Sequence, residues 1–88
     1  MATMTEKIVI TWASADDQQA PALCAPRIAK LQAMFDAGQT DNVPVIISPT
    51  ETQRNFVDAA SAQEYGDWVI AECTALSITN PTFVVSPL

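Results

Sequence analysis

Residues 7–12 alternate, with Ile8, Ile10 and Trp12 on one side and Lys7, Val9 and Thr11 on the other, which is the period of a strand with one face buried. β-branched and aromatic residues suit that pleated surface, so a first strand is expected here. Residues 14–19 are polar, contain Asp16 and Asp17, and read as an exposed connection. The period then changes. Ile28, Leu31 and Phe35, with Met34 beside them, recur at steps of three and four and predict a helix that turns Arg27 and Lys30 toward water. Proline suits a first helical turn and breaks an interior, so Pro21 and Pro26 place the regular part of this helix from about Ala25 or Pro26. Gly38 is its expected stop.

Residues 43–48, VPVIIS, predict a second strand, and Pro44 predicts that it lies at a sheet edge, where a missing amide donor is harmless. Residues 49–52 have the composition of a turn, and residues 53–58 form a third strand that completes a hairpin. Ser61 and Glu64 have the spacing of a capping box. Tyr65, Trp68, Val69, Cys73 and Leu76 then make the apolar stripe of a second helix. Asn80-Pro81 interrupts, and residues 82–86 form a fourth strand closed by Pro87.

Strand, helix, strand, strand, helix, strand is the split βαβ order. It predicts an α+β, ferredoxin-like fold: a four-stranded antiparallel sheet with strands one and three central and both helices on one face. The stretch RNFVDAASAQEYGDWV resembles the third strand and second helix of small dimeric α/β-barrel proteins, which share this fold. The likeness covers under a quarter of the chain; it implies the fold and carries over no active-site residue.

At 88 residues the chain is a single domain that buries about 60 to 65% of its unfolded surface. Only 16% of it is charged and 49% is hydrophobic, against an ordinary charged share of about 25%, so apolar surface should remain after folding and favour association. A formal charge of −6 opposes phosphate backbones and anionic lipid, so neither nucleic acid nor membrane is expected as a partner. The N-terminal residues, with Glu6 and Lys7 early, lack the pattern of a secretory peptide, and a soluble, cytoplasmic protein is expected. Cys24 and Cys73 form no CxxC pair and no histidine is present. Buried free thiols are therefore expected, with no zinc site and no cofactor.

Without histidine, general acid or base work would fall to carboxylates. Glu64 and Asp67 sit where a helix N-terminus favours acidic residues anyway; with Asp58 and Glu72 they make a candidate acidic contact patch, too short to imitate a nucleic-acid duplex. Arg54 could bind an anion, but an ion pair with one of ten carboxylates is the simpler expectation. No GxSxG elbow is present, and two glycines leave no phosphate-cradling loop. Trp12 and Trp68 belong to the core by default, with Trp12, at the end of its strand, the better candidate for partial exposure. The sheet face away from the helices offers a candidate interface of Val9, Thr11, Trp12 and Val84. The expected function is that of a small acidic, non-enzymatic interaction module that forms a homodimer or binds another protein. In type it resembles the small accessory proteins of bacteriophages, which bind host or virion proteins. The alternative is a small enzyme or ligand-binding domain of the dimeric α/β-barrel kind, with an apolar pocket between helices and sheet lined by Trp12, Phe35, Phe56 and Trp68.

Overall fold

The computed structural model describes residues 3–88. Its elements are β1 (Glu6–Thr11), α1 (Ala15–Gln18), α2 (Pro21–Asp36), β2 (Val45–Ser48), β3 (Glu51–Phe56), α3 (Ala59–Ala75) and β4 (Thr82–Pro87). The strands form one antiparallel sheet in the order β2-β3-β1-β4. Strands β1 and β3 are therefore central, and β2 lies at an edge as Pro44 predicts. Ile8, Ile10 and Trp12 are all buried, so the alternation of the first strand is realised with Ile8 and Ile10 facing the core.

Pairing fixes which residues share a face, because directly opposed residues point the same way. Ile8 opposes Val85 and Arg54, and Ile10 opposes Phe83 and Thr52, with Ile46 opposite Thr52 in turn. Helix α3 lies on that face. A Cβ on its Gly66 would meet the Phe83 ring at 2.6 Å and Ile8 Cδ1 at 2.8 Å, so only glycine allows the helix this close to the sheet. Val69, Cys73, Ala62 and Tyr65 of α3 are buried, and Trp68 and Leu76 pack partly against them, much as the stripe predicts.

Helix α2 is held differently. It adds Leu23, Leu31 and Met34 to the same core and packs against α3, yet none of its Cα atoms comes within 8 Å of a strand Cα. Its regular part begins at Pro21, with Pro26 inside, rather than near Ala25. Pro21 at the first position gives up an amide that has no helical partner anyway, and burial of Leu23 docks the added turn. The buried stripe is also rotated from the expected one. Leu23, Leu31 and Met34 face inward, while Ile28 is 68% and Phe35 47% exposed.

Local signals account for the ends. Ser14 caps α1 by accepting from the Asp17 amide at 3.1 Å, and Asp16 and Asp17 suit its first turn, so the expected connection contains a short helix. Helix α3 begins at Ala59, capped by Asp58, whose Oδ1 accepts from the Ser61 amide at 2.7 Å. The predicted cap at Ser61 is displaced because Ala59 and Ala60 are strong helix formers and nothing stops the helix before them. Ser61 instead lies buried inside the first turn and its hydroxyl accepts from Gln39 Nε2 at 3.2 Å. Both long helices close the same way. Past α2, Gly38 at φ +75° donates to the Phe35 carbonyl and Gln39 to that of Met34; past α3, Ser77 at φ +58° donates to Thr74 and Ile78 to Cys73. These are paired Schellman bonds.

Candidate functional site

The remaining apolar surface is uneven. Large exposed hydrophobic residues are Ile28, Phe35, Val43, Ile46, Ile47, Val84 and Leu88, so five of these seven lie on α2 or within residues 43–47. Strand β2 carries no charged side chain, and among the described residues its outer edge faces no other strand. An edge without a charge or an internal proline is open to pairing with another chain. Its pairing to β3 shifts register between Ile46 and Ser48, which sets Ile47 out of the regular ladder.

Behind this edge, between α2 and the β2–β3 hairpin, lies a partly open pocket of about 30 Å³. The register of β3 brings Thr52 and Arg54 to it from below; Arg27 and Gln18 reach it from above, and Tyr65 closes the inner end. Trp12 organises one wall. It is buried, its Nε1 donates to Thr52 Oγ1 at 3.0 Å, and the Arg27 guanidinium lies 5.5 Å from its ring centroid. That cation–π contact explains why Arg27 sits on the inner side of α2 instead of in water.

Among the described residues Arg54 has no carboxylate partner within 4.0 Å. Its Nη1 donates to Asn42 Oδ1 at 3.1 Å, and the ion pair within 4.0 Å among the described residues joins Lys30 to Glu64 at 3.1 Å. The expected ion pair of Arg54 is thus replaced by a neutral amide contact. Asn42 is fixed by its own loop: its amide donates to Thr40 Oγ1 at 3.1 Å, and the buried Thr40 hydroxyl donates to the Asn55 carbonyl at 2.6 Å. Burial lowers the Arg54 pKa below its ordinary value and the nearby Arg27 adds to that, while Tyr65 and Asp41 oppose it. Burial likewise raises the Tyr65 hydroxyl, against the pull of both arginines.

The residues proposed as an interface divide. Val9 is half-buried and Thr11 and Val84 are exposed on the face away from α3, whereas Trp12 is buried on the other side and is no part of that surface. Across that face the register aligns Val45, Gln53, Val9 and Val84 in one transverse row. The neighbouring rows are Glu51, Thr11, Thr82 and Asn55, Lys7, Ser86, so the apolar part is one residue deep. The acidic residues also divide. Asp58 is a cap, Glu64 pairs with Lys30 and Asp67 accepts from Gln63 at 2.9 Å. Glu72, five positions beyond Asp67, falls about 140° around the helix. The four aromatic residues suggested for an apolar pocket share no lining, since Trp12 and Phe56 are packed in the core and Phe35 turns outward. Both cysteines are free, Cys73 buried and Cys24 half-buried, and among the described residues no cluster of three potential metal ligands forms.

The convergence of Arg27 and Arg54 went unseen in the sequence, where 26 positions separate them; the signal that was present is their scarcity, as two of four cations. In comparisons with protein-family models, curated proteins and solved structures, none matches the chain.

Proposed function

We propose that this chain is a non-enzymatic interaction module of ferredoxin-like topology, with α2 and α3 on one sheet face, whose contact partner is a second copy of itself paired along the β2 edge. The strand order β2-β3-β1-β4 and the single core joining Ile8 and Ile10 to Leu23, Leu31 and Val69 support the topology. The observation that carries the contact is the exposure of Val43, Ile46 and Ile47 at a strand that has no charged side chain and whose outer edge, among the described residues, faces no other strand. Two copies each with a charge of −6 repel wherever their carboxylates meet, and β2 is a place where they do not. Antiparallel pairing about a two-fold axis would join two sheets into one and bring each copy's Ile47 near the other's.

Size exclusion with light scattering tests this. The expected result is twice the chain mass for the wild type at micromolar concentration, a single-chain mass for Ile47→Lys, and no change for Val9→Lys on the opposite face. A single-chain mass at every concentration up to the millimolar range, or a dimer lost in Val9→Lys and kept in Ile47→Lys, overturns the β2 contact. A complex with another protein in place of the dimer would assign the edge to a different occupant.

A further inference from the structure

We propose that the pocket between α2 and the β2–β3 hairpin is a carboxylate-binding site in which Arg54 and Arg27 hold the anion and Tyr65, Thr52 and Gln18 supply further donors. Three observations meet there. First, two of the chain's four cations line one pocket, in a protein with ten carboxylates, and neither is in an ion pair within 4.0 Å among the described residues. Like charges gather against their own repulsion only where something offsets it. Asp41, whose charge favours the Arg54 cation, is engaged elsewhere: its Oδ1 accepts from the Val43 amide at 3.1 Å.

Second, the Tyr65 hydroxyl is unspent. The residue is 2% exposed, and no side-chain hydrogen bond engages it among the described residues. No enclosed side-chain oxygen or nitrogen is left unpaired there, so the hydroxyl opens on the pocket that Tyr65 lines. A phenol buried to this degree normally finds a partner. Thr52 is in a similar position: its Oγ1 already accepts from Trp12, which leaves its own proton to donate.

Third, the space matches the ligand. About 30 Å³ holds roughly two waters, the size of a carboxylate head, and the planar guanidinium forks suit its two oxygens. Arg54 is also held in advance, by Asn42. The carboxylate could belong to a free small acid or to a peptide lying along the adjacent β2 edge; Pro44, Val45 and Ile46 line the same pocket.

Amide and arginine side-chain NMR shifts during titration with acetate, at constant ionic strength made up with chloride, test the site. Saturable shifts are expected at Arg54, Arg27, Thr52 and Tyr65. The dissociation constant should rise about tenfold or more in Arg54→Gln, in Arg27→Gln and in Tyr65→Phe, which each remove a donor to a charged group. Lys30→Gln, outside the pocket, should bind as the wild type. Should Arg54→Gln fail to fold, Tyr65→Phe and Arg27→Gln carry the test, since one removes a single oxygen and the other changes a side chain that is only half-buried. Shifts that stay linear, saturation by phosphate and not acetate, or unaltered binding in Arg27→Gln and Tyr65→Phe overturn the proposal. An N-acetylated tetrapeptide acid that binds at least tenfold tighter than acetate, with its amide silent, assigns the carboxylate to a partner chain; equal affinity assigns it to a free acid. The site does not rest on β2 self-pairing, and acetate binding retained in Ile47→Lys separates the two.

Discussion

Ser77 ends α3 at φ +58°, a left-handed position that the other long helix, α2, fills with Gly38 at φ +75°. A non-glycine residue there costs about 1 to 2 kcal/mol, and the greater freedom of glycine in the unfolded chain returns about 0.5 to 1 kcal/mol of that. Ser77→Gly should therefore stabilise the protein by about 0.5 to 1 kcal/mol, read as a higher denaturant midpoint at unchanged slope. Asp58 gives a prediction in pH. Its hydrogen bonds from Ser61 hold the carboxyl below its ordinary value of 3.8, so the folded state prefers the anion. The resulting stability is present above the unfolded pKa and is lost as pH falls through the lower folded value. Asp58→Asn keeps a cap of equal quality but has no proton to take up. Its melting temperature should fall less steeply than the wild type's from about pH 5 to about pH 2, and parallel acid limbs would show that Asp58 is not the titrating cap.

Among the elements, the two long helices meet the sheet in different ways, and Gly66 is why. Where α3 crosses β1 and β4, the space a Cβ needs is already filled by Phe83 and Ile8, and a close-packed interior yields little. Gly66→Val should destabilise the fold by about 2 kcal/mol, within the usual range for overpacking, despite the modest gain in helix propensity. Thermal melts that match the wild type would mean that β4 moves aside freely. Helix α2 has no such close approach. It stands on side chains, with Arg27 over Trp12, and this stand-off leaves the pocket open beneath it.

The whole molecule is small and acidic, and its edge strand β2 carries no charged side chain. Association of copies of charge −6 is opposed by long-range repulsion, and raising salt from about 0.01 to about 0.1 M shortens the Debye length from about 30 to about 10 Å. If copies pair at β2 as proposed, the dimer should tighten with added salt over that range, in sedimentation equilibrium, because β2 has no charged side chain to form an ion pair across the contact. Weakening instead would point to a contact built on the arginines or on Lys30.

Much of the fold was legible in the chain. A strand buried on one face writes its orientation into a period of two, so Ile8, Ile10 and Trp12 announced their side. Pro44 announced an edge, Gly38 a left-handed helix stop, and Tyr65, Val69 and Cys73 the inner face of α3, because each depends on local geometry alone. Local rules failed where two readings were locally equal. Asp58 and Ser61 are equally good caps three residues apart, and the two alanines between them let the earlier one act. Of the stripe read on α2, Leu31 and Met34 turn inward with Leu23 while Ile28 and Phe35 turn outward, and Arg27, on the inner side, lies over the Trp12 ring, a partner no local rule names. The candidate site lay beyond any local rule. Arg27 belongs to a helix and Arg54 to a strand, and their convergence beside the Tyr65 hydroxyl follows from strand register and from the height at which α2 rides, quantities set by the packing of the whole chain.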